Sequence, residues 1–237
     1  MTHRYLAFDI ETAKEIPGDD LVWRKHRPLG IACAATLAAD ERQPVLWYGK
    51  TQHGDPAPRM STDDAQHLVD YLVRMVAGGY RILTWNGLGF DFDVLAEESS
   101  ATATCRECAL EHVDMMFHAF CILGYPIALE KVAQGMGLPG KPRGMSGSMA
   151  PKLWAQGQFK EVLEYVAQDV RIALDIAKAC ERRGSLEWIT RRGSKQALQL
   201  PSGWSTVREA LLLSQPDTSW MSAPIPRHDF TAWLNTK

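Results

Sequence analysis

Apolar and polar residues alternate with a period of two near the start of the chain, over Tyr5–Thr12. The alternation predicts a β-strand with Leu6, Phe8 and Ile10 on one face. The opposite face carries four side chains, those of Tyr5, Ala7, Asp9 and Glu11. Two carboxylates therefore project from one side of the strand, at its carboxyl end.

Three further strands and one helix are predicted before residue 86. Small apolar residues over 30–37 and a shorter run over 45–49 indicate strands that form an antiparallel meander with the first. Helical spacing of apolar residues predicts a helix over Thr62–Ala77, capped by Thr62 or Asp63. Residues 81–85 form a last strand, which leads directly into a turn.

The remainder of the chain has a helical pattern that ends in a hairpin. The predicted helices cover residues 90–98, 106–123, 129–137 and 158–183, the last with an apolar stripe at Leu163, Val166, Val170, Leu174 and Ala177. A hairpin over 188–200 follows, and Ser205 or Thr206 caps a short helix. This order predicts an α/β domain over 1–185 with a mixed central sheet flanked by helices, and a small C-terminal extension over 186–237 packed on it.

Composition narrows the class of protein. The 237 residues are 46% hydrophobic and 23% charged, which is ordinary for a soluble globular domain. No signal-like start and no run near the roughly 18 apolar residues of a membrane span are present, so we expect a cytoplasmic protein with no membrane partner. A net charge of −2 argues against broad non-specific nucleic-acid binding, but it allows a local basic track. The five cysteines fit reduced thiols.

Candidate chemistry begins with Asp9 and Glu11. Like charges held together repel each other unless they are protonated, solvated or bridged by cations. Hard divalent ions prefer carboxylate oxygens, so the pair is a candidate metal cradle. The alternative interpretation is an ordinary solvated strand end.

Two further segments carry polar groups at suitable places. The turn Asn86-Gly87-Leu88-Gly89-Phe90-Asp91 joins a predicted strand to a predicted helix and puts an acid in the first helical turn. On the long helix, Tyr165 and Asp169 are four residues apart and share one face, which borders the apolar stripe. Either segment alone is compatible with a purely structural role.

In this order, Phe8 to Thr12, Asn86 to Asp91 and Tyr165 to Asp169 resemble the three exonuclease motifs of the DEDD superfamily of 3′–5′ exonucleases. Tyr165, four residues before Asp169, makes the third motif similar to that of the DEDDy branch. This branch includes the proofreading domains of family B DNA polymerases and stand-alone relatives. The resemblance covers most of the chain and leaves the segment after about residue 185 outside it.

The resemblance implies a ribonuclease H-like fold and a two-metal hydrolase. Its four acids are Asp9, Glu11, Asp91 and Asp169, which would hold two divalent cations, Mg²⁺ or Mn²⁺. One ion would activate a water that attacks the 3′-terminal phosphodiester, and the other would stabilise the departing 3′ oxygen, releasing nucleoside monophosphates. Tyr165 would orient the attacking water.

The resemblance also implies substrate contacts, in which Asn86 and Phe90 position the motif and help wedge the terminal nucleotide. For the substrate backbone, the basic residues of 139–160 suggest Lys141 and Arg143. A second basic group is Arg182, Arg183, Arg191, Arg192 and Lys195, and Trp85 or Trp154 could stack a base. We expect single-stranded nucleic acid as substrate, with DNA favoured over RNA, and no obligatory protein partner.

Several alternatives stay open. The activity could be that of a 3′–5′ exoribonuclease, or the chain could be a catalytically silent nucleic-acid-binding module. Asp93 is interpreted as solvated. Asp114 is interpreted as a helix cap, with an acid that supports the metal ligands as the alternative. The spacing of Cys105, Cys108 and His112 has a loose similarity to a zinc site, against free thiols and a surface histidine.

Overall fold

A five-stranded mixed sheet lies at the centre of the protein, with strand order β3-β2-β1-β4-β5. The structure is a computed structural model that describes residues 4–16, 20–141 and 146–235. The strands are β1 Tyr5–Thr12, β2 Ile31–Ala38, β3 Val45–Tyr48, β4 Arg81–Thr84 and β5 Val113–Asp114. The first three pair antiparallel, whereas β1, β4 and β5 run parallel.

Helices cover both faces of the sheet. They are α1 Thr62–Ala77, α2 Asp91–Ser99, α3 Thr102–Glu111, α4 Met115–Leu123, α5 Leu129–Met136, α6 Ala150–Ala155, α7 Phe159–Arg183, α8 Val207–Ala210 and α9 His228–Thr231. Short 3₁₀ helices cover Asp20–His26, Gly147–Met149 and Ala232–Asn235. A separate antiparallel hairpin is formed by β6 Ser185–Ile189 and β7 Lys195–Gln199. None of the described helices is both long and apolar enough to cross a bilayer.

The predicted two faces of β1 are confirmed. Leu6, Phe8 and Ile10 belong to one hydrophobic core, which is completed by α1 to α4, α8 and the C-terminal residues. Tyr5 and Ala7 belong to the other core, which is completed by α5, α6, α7 and the hairpin. The segment after residue 185 thus contributes to both cores, and the division of the chain at 185/186 stays a prediction.

Two of the predicted helices differ from the structure, one in its capping residue and the other in its bounds. The bounds of α1 are as predicted, but Ser61 is the cap and Thr62 and Asp63 are not, because Ser61 exchanges hydrogen bonds with Asp64 in a capping box. The single helix predicted over 106–123 is two helices. Val113 pairs with Leu83 in the sheet, and α4 starts afresh after β5.

Four residues of the predicted apolar stripe of α7 are buried as predicted, namely Val166, Val170, Leu174 and Ala177. Leu163 was predicted to be buried and is only partly so, whereas Val162 is fully buried. Of the two residues predicted to cap the short helix α8, Thr206 is the cap. These shifts leave the face that carries Tyr165 and Asp169 directed towards the sheet, where both side chains are buried.

The parallel pairing of β1 with β4 ends before the carboxyl end of β1. Its last pair is Ala7 with Leu83, and β1 continues to Thr12 alongside β2. Asp9 and Glu11 therefore lie past the point at which β4 turns away into α2. Clefts at the carboxyl ends of parallel strands are common binding sites in α/β proteins.

Candidate active site

Three carboxylates converge at this end of the sheet. Asp9 and Glu11 come from β1 and Asp169 from the middle of α7, and each offers an oxygen within 4.8 Å of those of the other two. Glu11 and Asp169 are buried, and Asp9 is partly exposed. Residues far apart in sequence are thus brought together, in accordance with their placement in the predicted motifs.

The fourth predicted acid, Asp91, lies beside this group as the first residue of α2. Its Oδ1 accepts a hydrogen bond from the Ile10 N–H at 3.0 Å, which fixes the start of α2 against β1. Burial raises the pKa of Asp9 well above its ordinary value, and the charge of Asp91 raises it further. The two carboxylates are therefore electrostatically linked.

Burial is the main reason why the pKa values of all four acids are raised, so that each loses its proton less readily than an exposed acid. It raises the pKa of Asp91 to about 7 and the pKa values of Glu11 and Asp169 above their ordinary range. Mutual repulsion adds to the effect, and the positive charge of Lys141 opposes it. Such a group is stabilised by protons or by bound cations.

The donor set fits divalent cations. All the candidate ligands are carboxylate oxygens, which Mg²⁺ and Mn²⁺ prefer. Oδ1 of Asp169 is also buried without a hydrogen-bond partner among the described residues. A buried carboxylate oxygen is costly to leave unsatisfied, so a cation at this point would remove that cost.

Lys141 lies within the acid group. Its Nζ is 2.5 Å from Oδ2 of Asp169 and donates to the Tyr165 hydroxyl at 2.6 Å. The same ammonium is 4.7 Å from the centre of the Tyr165 ring. The sequence suggested a contact with the substrate backbone, and it gave no sign that this side chain pairs with a predicted metal ligand. Arg143, the other predicted backbone contact, lies outside the described residues.

Tyr165 is 1% exposed and faces the acids. Burial raises the pKa of its hydroxyl above the ordinary value, and the charge of Asp169 raises it further. The phenol is therefore protonated at neutral pH, so it can donate and orient but does not serve as a base.

The turn that carries Asn86 and Asp91 is held by Asp114. Asn86 adopts a left-handed conformation with φ of 73°, and its N–H and that of Leu88 each donate to Asp114 at 2.9 Å. Asp114 also caps α4 by accepting from the Phe117 N–H, as predicted. Burial raises the pKa of Asp114 to about 6, although these N–H donors counteract the rise.

Phe90 is partly exposed and contacts a residue that the sequence did not single out. Its ring meets that of Trp23 edge-on, with centroids 4.9 Å apart. Arg24 and Arg27 lie over the Trp23 ring and both pair with Asp93. Asp93 is 2% exposed, so its predicted solvation is wrong. The polar segment around Trp23 has no periodicity that could have revealed these contacts.

The two tryptophans predicted as possible base-stacking residues both form hydrogen bonds within the protein. Trp154 is buried in the core and donates to the Ala57 carbonyl, so it does not offer a stacking surface. Trp85 is partly buried and donates to the Ile127 carbonyl. In the second basic group, Arg183 and Lys195 both pair with Glu187, which reduces its net positive charge.

The zinc interpretation of Cys105, Cys108 and His112 finds no support. His112 is buried, and its two ring nitrogens hydrogen-bond to Thr84 Oγ1 and the Ala109 carbonyl. The surface position expected for His112 is therefore wrong. Burial raises the pKa values of both thiols, so neither favours the thiolate form that zinc requires.

The sequence was compared with models of known protein families, and one family model matches more than half of the chain. Residues 50–180 match the RNase_H_2 family model, which is described as RNase_H superfamily. The chain belongs to the RNase H superfamily. The match includes Asp91, Tyr165 and Asp169 and begins after the strand that carries Asp9 and Glu11. The predicted ribonuclease H-like fold is confirmed.

The chain is similar to several solved structures, of which a family B DNA polymerase supports the fold. The family B DNA polymerase of the archaeon Pyrobaculum calidifontis superposes with a TM-score of 0.53 at 19% identity, covering 76% of this chain and 25% of the polymerase. E. coli Exonuclease I in complex with a dT13 oligonucleotide gives a TM-score of 0.42 at 16% identity, covering 77% of this chain and 42% of that chain. This chain thus spans less than half of either protein. A comparison with curated proteins gave no significant match.

Proposed function

We propose that this RNase H superfamily chain is a metal-dependent 3′–5′ exonuclease of the DEDDy branch. It would hydrolyse single-stranded nucleic acid, with DNA favoured over RNA, and release nucleoside monophosphates. The observation that carries the proposal is the convergence of Asp9 and Glu11 with Asp169, beside the Tyr165 hydroxyl. The catalytic unit would be residues 1–185, with 186–237 as an extension packed on it.

The four acids would hold two divalent cations, Mg²⁺ or Mn²⁺. When bound, such ions lower the pKa of an attacking water and stabilise charge on the leaving oxygen. Asp9, Glu11 and Asp169 supply oxygens that lie close together. Asp91, the first residue of α2, would be the fourth ligand. The buried and unpartnered oxygen of Asp169 supports this assignment.

Tyr165 would orient the attacking water through its hydroxyl. Lys141 donates to the phenol oxygen, and the Tyr165 hydroxyl hydrogen-bonds to Asp169, so its proton is directed to the acids where the water would lie. Its raised pKa keeps this proton in place at neutral pH. The role is one of positioning, since the bound ions supply the acidity.

Lys141 would have two successive partners. In the isolated chain its ammonium balances the negative charge of Asp169. Cations bound to the acids would replace that balance and release the ammonium towards the phosphate of the substrate. Arg143 would extend the same basic segment along the strand. This reconciles the predicted backbone contact with the observed position of Lys141.

Asn86 and Phe90 would receive the terminal nucleotide. The ring of Phe90 is partly exposed next to Asp91, and its contact with Trp23 limits its motion. A rigid aromatic ring at this place can stack against a base and separate the last nucleotide from its neighbour. Asn86 holds the turn in the left-handed conformation that places Phe90 there.

A catalytically silent nucleic-acid-binding module is the main rival from another class. Such a module would have no use for four repelling acids in a buried position, because acidic groups weaken binding to phosphates. A 3′–5′ exoribonuclease would use the same residues, and the two sugars differ at the 2′-hydroxyl. Cleavage of matched substrates therefore separates the three possibilities.

The experiment is digestion of 5′-labelled single-stranded DNA and RNA of the same sequence with Mg²⁺, Mn²⁺ or EDTA. Asp9→Ala is run alongside, because it removes one acid and reveals any contaminating nuclease. We expect a ladder that shortens from the 3′ end, requires metal and is absent in the variant. Preference for RNA would indicate the exoribonuclease, and no cleavage with either metal would favour the binding module.

A further inference from the structure

The C-terminal residues 227–235 pack directly on the turn that carries Asp91. The indole N–H of Trp233 donates to the carbonyl of Leu88 at 2.8 Å in a buried position. A Cβ atom at Gly89 would come within 2.8 Å of the Phe230 ring, so glycine permits this close approach. The tail and the turn are therefore in tight contact.

Both backbone polar groups of Leu88 are fixed by side chains from other segments. Its N–H donates to Asp114 at the start of α4, and its carbonyl accepts from Trp233 in the tail. The peptide groups on either side of Leu88 are thus held from two directions. Leu88 is three residues before Asp91, so this restraint acts directly on the part of the turn that leads to Phe90 and Asp91.

Arg24 forms a second link between the tail and the turn. Its guanidinium lies 2.8 Å from the Asp93 carboxylate, 3.0 Å from the Asp229 carbonyl and 3.3 Å from the Gly89 carbonyl. One side chain therefore contacts α2, the tail and the turn. Arginine suits this position because its planar group presents several donors in fixed directions.

The tail is itself anchored in the core. The Phe230 ring packs against Phe120 and Phe117, with centroids 4.7 and 5.7 Å apart. Arg106 from α3 donates to the carbonyl of Trp233 at 3.1 Å. Trp233 is 4% exposed. Because the tail is itself held in place, its contacts can fix the position of the turn.

We propose that residues 227–235 are a positioning element of the active site, in which Trp233 fixes the turn so that Asp91 and Phe90 meet the substrate in register. The inference rests on the proposed exonuclease function. Trp233 reaches the turn through the hydrogen bond from its indole N–H to the Leu88 carbonyl, so it acts through that carbonyl. It is a positioning residue and takes no part in the chemistry.

The test compares Trp233→Phe with Trp220→Phe. Phenylalanine keeps most of the buried ring at 233 and removes the N–H donor. Trp220 is an exposed tryptophan outside 227–235, and its N–H donates to the nearby Asp217 carbonyl. For Trp233→Phe we expect kcat to fall about tenfold and KM to change by less than about twofold, because misplaced groups slow the reaction more than they weaken binding. Trp220→Phe is expected to match the wild type.

Hydrogen exchange of the backbone amides provides a readout that does not depend on activity. We expect faster exchange over residues 86–92 in Trp233→Phe, with unchanged exchange in α7 and an unchanged melting temperature within a few degrees. Unchanged kcat in Trp233→Phe, with active wild type, would overturn the inference. So would exchange over 86–92 identical to that of Trp220→Phe.

The two proposals fail in different ways. If the wild type cleaves nothing under any metal, the exonuclease function is rejected and the exchange data alone report whether the tail holds the turn. If the wild type is active and Trp233→Phe loses kcat together with exchange protection throughout the protein, the residue is a general stability element and the positioning role is rejected.

Discussion

The ammonium nitrogen of Lys141 lies 2.5 Å from Oδ2 of Asp169, so one buried acid of the candidate site already has a cation as its partner. Burial disfavours the charge of Lys141, but Asp169 and Tyr165 more than offset this and raise its pKa above the ordinary value. Any divalent ion that binds Asp169 must therefore compete with the ammonium group of Lys141.

Removing that competitor should change metal binding and substrate binding in opposite directions. We expect Lys141→Met to tighten Mn²⁺ binding by about tenfold, equivalent to ~1.4 kcal/mol, and to raise KM for the oligonucleotide. Calorimetric titration with Mn²⁺ and steady-state kinetics measure the two effects. Lys160→Met is the control, because Lys160 is exposed and pairs with the neighbouring Glu164 on the same helix. Mn²⁺ affinity equal to that of the control would contradict the competition.

Neutralising one acid should abolish cleavage and still allow the chain to fold. Burial and three neighbouring acids raise the pKa of Asp9, so Asp9→Asn relieves repulsion in the metal-free protein. We expect cleavage to fall by at least about 10²-fold and the melting temperature in EDTA to stay the same or rise. Asp175→Asn serves as the control, since Asp175 is exposed on the same helix that carries Asp169. Full activity in Asp9→Asn would reject the site assignment.

Loss of the Tyr165 hydroxyl should be milder than loss of an acid. We expect Tyr165→Phe to lower kcat by about 10²-fold at most, because water would be less well oriented, and to leave the Mn²⁺ dissociation constant nearly unchanged. The ring, which packs in the buried face of α7, is retained. A large loss of Mn²⁺ affinity in this variant would mean that the hydroxyl belongs to the metal ligands and that the positioning role is wrong.

His112 should make the folded state sensitive to acid. Burial lowers its pKa to about 3, below the usual value of about 6.5 in an unfolded chain. Between these values the unfolded chain binds the extra proton, so the stability contributed by neutral His112 is present above about pH 6.5 and is lost as the pH falls. From pH 7.5 to 5 we expect a loss of about 2 kcal/mol from this residue.

The measurement is urea unfolding of the wild type and His112→Gln at both pH values. The difference between the two proteins isolates this residue from the acids, whose raised pKa values act in the opposite direction. The free energy of unfolding should fall more steeply for the wild type than for the variant. Parallel pH profiles would show that His112 accepts a proton in the folded state.

Much of the framework could be predicted because it depends on short-range patterns. The alternation over Tyr5–Thr12 and the apolar spacing in α1 define which face is buried, and both agree with the structure. The residues of the three motifs lie together for the same reason, since each sits at a predictable place on a strand, turn or helix. The site assignment itself stays a prediction.

What could not be predicted depends on contacts between distant segments without periodicity. The pairing of Asp93 with Arg24 and Arg27 joins α2 to a polar segment far from it in sequence. Lys141 meets Asp169 from a glycine- and proline-rich stretch, and Trp233 reaches Leu88 from the tail. A side chain in such a segment gives no signal of the partner that it will find.

The convergence of β1 with α7 also has a consequence for synthesis. Asp9 and Glu11 leave the ribosome before Asp169, which follows only after the long segment between them has been translated. Contacts between residues so distant in sequence form late in folding, because the intervening chain must first be ordered. A nascent chain of this protein therefore carries Asp9 and Glu11 for some time before Asp169 is available to join them.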